Sequence, residues 1–79
     1  MKRKKSRIEV SQQVYLNTTD IMTLLKLDYY KAKRMYDAAD RIDQEELSSF
    51  RIEPRKVRTE TVCSLAQIDL RKLQRQIKG

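Results

Sequence analysis

The chain has 79 residues, with 18 Lys and Arg against 11 Asp and Glu, a formal net charge of +7, no His, one Gly and one Cys. That length allows a single small domain with a thin core, and the positive surplus favours a polyanionic partner, nucleic acid above all. It excludes an intramolecular disulfide, a zinc finger and a glycine-rich phosphate loop: Cys63 is alone, four Cys or His ligands are lacking, and the one Gly is the last residue, Gly79.

Residues 1–13 are polar and lack periodicity, which predicts a flexible basic arm. Its bases, Lys2, Arg3, Lys4, Lys5 and Arg7, either solubilise the chain or add sequence-independent phosphate contacts. Val14, Tyr15 and Leu16 form a short extended piece. Asn17 then caps a first helix, with Asp20 favouring its positive end. Ile21, Leu24 and Leu25 give that helix one apolar stripe, and it stops near Lys26. Leu27 and Asp28 make the turn, and Asp28 caps a second helix with Ala32, Met35, Tyr36, Ala39 and Ile42 on one side. Two capped helices joined by a turn of three or four residues form a helix-turn-helix.

The second helix has two chemical halves. Tyr29, Tyr30, Lys31, Lys33 and Arg34 occupy the first; Asp37, Asp40 and Asp43 occupy the second. Tyr30, Lys33 and Arg34 point away from the apolar stripe, whereas Tyr29 sits nearer the buried side, at the core edge. A phosphate backbone repels the acidic half, so the N-terminal half is the one expected to meet DNA, unless these residues are an ordinary solvated face. Arg reads guanine bidentately from such a position.

From Ser48 the period changes to two. Phe50 and Ile52 alternate with Arg51 and Glu53, Pro54 marks a bend, and Lys56, Val57 and Arg58 return. The pattern predicts a β-hairpin pairing 50–52 with 56–58. Arg51, Arg55, Lys56 and Arg58 either keep an edge soluble or contact phosphates and the minor groove. Thr59 is expected to cap a third helix with Val62, Leu65 and Ala66 inward and Cys63 a small, partly buried hydrophobe. Asp69 caps a last helix over 70–78. Leu70, Leu73 and Ile77 share one of its faces, either packing on the domain or meeting a protein partner, with Arg71, Lys72, Arg75 and Gln76 elsewhere.

The expected fold is therefore mainly α with a small β-hairpin, a winged helix-turn-helix over 14–68, preceded by the arm 1–13 and followed by a basic amphipathic helix over 69–79. In this order of elements the chain resembles the small winged-helix excisionases of phages and integrative elements, recombination directionality factors related to the headpiece of MerR-type regulators. The resemblance covers residues 15–68. It is carried by Leu16, Asn17 and Thr18 opening the first helix, Leu24 to Asp28 through the turn, and Lys33, Arg34 and Met35 on the recognition helix. Phe50, Arg51 and Ile52 with Lys56, Val57 and Arg58 correspond to the wing, and Thr59 to Ala66 to the closing helix. The chain departs from the family in having Lys26 where a turn Gly is common, and in a longer, more acidic stretch 29–49. The resemblance implies double-stranded DNA as partner, an integrase assisted in excision, and self-association on DNA, with Asn17 and Thr18 joining the second helix and the wing at the DNA.

No His is present to activate Ser or Cys, so no enzyme, cofactor, metal site or small-molecule substrate is expected. The opening MKRKKSRIEV has no apolar run behind its charges and does not read as a signal peptide; the apolar runs are too short for a membrane span, and a cytoplasmic setting is expected. Two alternatives stand beside the excisionase-like factor: a small transcriptional regulator of a mobile element, and a protein-interaction adaptor whose basic face meets an acidic protein.

Overall fold

A computed structural model describes residues 5–78. In chain order it contains α1 (Arg7–Ser11), β1 (Tyr15–Leu16), α2 (Thr18–Leu25), α3 (Tyr29–Leu47), a 3₁₀ turn (Ser48–Phe50), β2 (Val57–Arg58), α4 (Thr59–Leu65) and α5 (Leu70–Lys78). The chain is mainly helical with one two-stranded antiparallel sheet. Among the described residues no helix is long and apolar enough to cross a membrane.

The helices α2 and α3 and the short turn between them follow from local chemistry. The Asn17 side chain accepts from the Asp20 N–H at 2.8 Å, and the Asp20 carboxylate accepts from the Asn17 N–H at 3.2 Å, closing a reciprocal capping box at the start of α2. At the start of α3 the Lys31 N–H donates to the Asp28 carboxylate at 2.8 Å. Ile21 and Leu24 of α2 meet Ala32 and Ala39 of α3 in a core that also takes Val10, Leu16, Val57, Val62 and Leu73. The two alanines let the helices approach closely.

Lys26 ends α2 in the left-handed region, at φ 54° and ψ 46°. A side chain with a Cβ is disfavoured there by about 1–2 kcal/mol, while Gly in its place gives back about 0.5–1 kcal/mol in unfolded-chain entropy. Lys26→Gly is therefore expected to raise the thermal midpoint by about 3–6 °C. A melting curve at or below that of the parent chain would show that the turn carries no such strain.

Three expectations are corrected. The segment 5–13 is not a flexible arm. Ser6 caps α1, Val10 and Ser11 are buried, and Arg7 donates to the Leu24 carbonyl at 3.0 and 2.9 Å. One buried side chain and one backbone anchor are enough to order so short a helix against the end of α2. Lys2, Arg3 and Lys4 lie outside the described residues.

The hairpin 50–52 with 56–58 does not form. β2 pairs instead with β1, with Tyr15 opposite Arg58 and Leu16 opposite Val57. The Thr59 N–H then donates to the Val14 carbonyl at 2.8 Å. A β-favouring strand already present at 15–16 offers an edge that supplies the pairing in place of the Pro54 bend.

Thr59 is the first residue of α4 rather than its cap, and its hydroxyl donates to the Gln13 carbonyl. This anchor sets the rotation of α4, so that Thr59, Val62 and Cys63 face inward and Leu65 is left on the surface. Burial raises the Cys63 thiol above its ordinary pKa. At α5 the expected cap is present, with the Arg71 and Lys72 N–H groups donating to Asp69.

Candidate nucleic-acid interface

The first turns of α3 follow the turn 26–28 directly. Asp28 satisfies the helix start, so the side chains beyond it are available to solvent. Tyr30 is 80 % exposed and Tyr29 55 %, and their rings meet edge-on with centroids 6.1 Å apart. Lys31 and Arg34 are exposed beside them, and neither forms an ion pair among the described residues. The placement of Tyr29 at a core edge is thus corrected: the buried stripe passes through Ala32 and Ala39, and Tyr29 falls outside it.

Lys33 is placed differently. Its ammonium donates to the Asp37 carboxylate at 3.1 Å and lies 5.3 Å from the centre of the Tyr36 ring. The hydrogen bond from Lys33 to Asp37, reinforced by their opposite charges, holds the ammonium above its ordinary pKa. Water and salt screen an exposed pair of this spacing, so it leaves the ammonium open to exchange for a phosphate.

The acidic second half of α3 finds its partners within the chain. Arg51 reaches the Asp40 carboxylate at 2.6 Å, the Gln44 side chain at 3.2 Å and the Lys56 carbonyl at 3.1 Å. Its side chain is only 6 % exposed, and its Nε–H finds no acceptor among the described residues. Arg58 donates its backbone N–H and its Nε–H to Asp43, at 2.8 and 3.0 Å, and pairs with Glu46 through its remaining guanidinium edge. The Thr61 hydroxyl donates to Asp43 at 2.6 Å. Burial raises the Asp43 pKa, but the Thr61 and Arg58 hydrogen bonds and the Arg58 charge outweigh it and hold the carboxyl below its ordinary value of 3.8.

Arg51 and Arg58, both expected at the DNA, are thus engaged within the chain by the acids of α3. They bind the segment 51–58 along α3, helped by the Tyr36 hydroxyl donating to the Arg55 carbonyl at 2.7 Å. With Arg51 turned inward, Phe50 and Ile52 on either side of it point outward, 84 % and 81 % exposed. Arg55 is exposed, Lys56 is partly so, and neither forms an ion pair among the described residues.

The remaining sequence-derived positions divide in the same way. The side chain of Asn17 is occupied by its capping box, and Thr18 is half-buried at the first position of α2. Lys5 pairs with Asp20 at 3.4 Å, and Arg7 is held by Leu24. Leu73 is 6 % exposed and Ile77 packs on the core, while Leu70 is half-buried, so most of this stripe packs on the domain. The structure brings together Tyr29, Tyr30, Lys31 and Arg34 on one helix end. Lys26, exposed in the turn beside them, escaped the sequence reading; its place two residues before the Asp28 cap is the signal that marks it.

No family model, curated protein or solved structure matches this chain.

Proposed function

We propose that the chain is a sequence-specific double-stranded DNA-binding protein of the winged helix-turn-helix type. The N-terminal half of α3 enters the major groove, and the segment 51–56 lies against the neighbouring backbone as the wing. One observation carries this reading: the cations of the fold are sorted. Lys31 and Arg34 stand without an ion pair, beside Tyr30, on the first turns of the second of two helices joined by a short turn, while Asp37, Asp40, Asp43 and Glu46 of the same helix are bound to Lys33, Arg51 and Arg58, and Arg41 and Glu45 stay exposed on its far half. The repulsion those acids would offer to phosphate is thereby largely neutralised inside the chain.

Within this class the proposed role is that of an excisionase-like architectural factor assisting an integrase, as the resemblance implies. A transcriptional regulator of the same fold reads a two-fold operator as a dimer. Among the described residues the apolar stripe of α5 packs on the domain's own core through Leu73 and Ile77, which favours the architectural role over the dimeric regulator.

Lys26, Lys31, Arg55 and Lys56 supply four phosphate contacts, with Arg34 left to the bases. The logarithm of duplex affinity is then expected to fall against the logarithm of salt with a slope of about −4, at about −0.9 per contact. Fluorescence anisotropy over a salt series measures it, and a flat response overturns the DNA reading in favour of the adaptor.

A further inference from the structure

The packing of α5 creates a second set of unpaired cations. Leu73 is buried and Ile77 packs on the core, and the Gln74 side chain donates to the Ser11 carbonyl of α1 at 3.0 Å. These contacts fix the rotation of α5 and leave Arg71, Lys72 and Arg75 exposed, with no ion pair among the described residues. Arg71 and Arg75 are one turn apart, so their guanidinium groups rise side by side. With Ile8, Gln12 and Gln74 they line a shallow concavity of about 270 Å³ between α1 and α5, and no carboxylate lines it. The nearby Asp69 carboxylate is taken up by the backbone at the start of α5.

We propose that Arg71 and Arg75, with the Gln12 amide, form a phosphate cradle that grips the DNA backbone at a point separate from the α3 contact. The inference rests on the DNA reading above and extends it. Two guanidinium forks facing one concavity match the paired oxygens of a phosphodiester, and a flat apolar partner would leave them desolvated and unpaired. The cradle is joined to the reading helix through α1. Arg7 at one end of α1 holds the Leu24 carbonyl just before the turn, and Ser11 at the other end accepts from Gln74. The five residues of α1 span about 7 Å at 1.5 Å per residue, so the cradle is held at a fixed offset from α3.

The test compares the full chain with its Arg71→Gln/Arg75→Gln variant on a duplex long enough to extend past the α3 site and on one trimmed to that site. Both side chains are exposed, and circular dichroism confirms that the fold is kept. On the long duplex the variant is expected to lose about 10- to 100-fold in affinity at 0.1 M salt, and its salt slope to shrink by about 1.8, the share of two contacts. Its base preference stays as in the parent, the trimmed duplex shows little difference, and Arg71→Lys/Arg75→Lys recovers most of the slope. A variant that binds the long duplex like the parent, at the same slope, overturns the cradle and leaves the α3 reading intact. Amide shifts at 71–75 with inorganic phosphate but none with duplex would assign the cradle to a free anion and likewise overturn it. A parent chain that binds neither duplex removes the α3 reading first and the cradle with it.

Discussion

Asp43→Ala is expected to lower the thermal midpoint by about 15–30 °C. The carboxylate is 1 % exposed and accepts from the Arg58 backbone, the Arg58 guanidinium and the Thr61 hydroxyl. Removing it leaves all three donors without their acceptor and the Arg58 guanidinium with Glu46 alone, a change that costs about 3–5 kcal/mol. Small domains hold only about 5–10 kcal/mol in total, and each kcal/mol moves the midpoint of one this size by about 4–8 °C. The pH dependence has a definite sign. Because the folded carboxyl titrates below its ordinary value of 3.8, its contribution is complete above about pH 4 and is lost as pH falls through the lowered folded value. Asp43→Asn keeps the shape, loses the charge, and should flatten that acid limb. Midpoints for Asp43→Ala within a few degrees of the parent would show that the junction of α3, β2 and α4 is held by something else.

The second large effect is on binding. Tyr30→Ala/Arg34→Ala should cost about 2–6 kcal/mol on the preferred site, from about 1–3 kcal/mol for each lost base contact. That is a loss of roughly 30-fold to more than 10⁴-fold. Both side chains are exposed, so stability should change by no more than about 0.5 kcal/mol. Binding to unrelated sequences should fall far less, and the ratio between the two is the quantity to measure. Equal loss on every sequence would reduce these residues to phosphate contacts and move base reading elsewhere.

How far the fold was legible depends on the range of the interactions. The helix-turn-helix is written in short-range signals: Asn17 with Asp20, Asp28 three residues before Lys31, and stripes of period 3.6 through Ile21, Leu24, Ala32 and Ala39. Each can be read because its partner lies within one or two turns. The pairing of Val57 with Leu16 and the capture of Arg58 by Asp43 are long-range choices. Two candidate strands and several carboxylates compete for the same segment, and periodicity does not rank them. Arg51 and Arg58 look like wing cations for the same reason: an arginine reads as solvent-facing until the carboxylate that buries it is placed in space. The exposure of Tyr30, Lys33 and Arg34 was legible because it depends only on the face opposite a visible stripe, whereas the pairing of Lys33 with Asp37 was not read. Tyr29 was not, since its angle lies between the two faces and small differences in helix packing decide it.

The hydrogen bond from Thr59 to the Gln13 carbonyl joins residues 46 positions apart. Everything from β1 to β2, including α2 and α3, is therefore a closed loop pinched at its base. Closing a loop of that length costs about 3 kcal/mol of chain entropy, beyond a constant, before any of its contacts offset it. The two helices cannot be cut out as a working fragment, because the strands that hold their ends lie on opposite sides of them in the chain. Folding waits on that distant encounter rather than on the helices, which nucleate quickly. The angle at which α3 is presented is thus inherited from a clasp in which no residue of the exposed face takes part. Loss of the Thr59 hydroxyl would loosen the clasp that sets this angle without touching the exposed face.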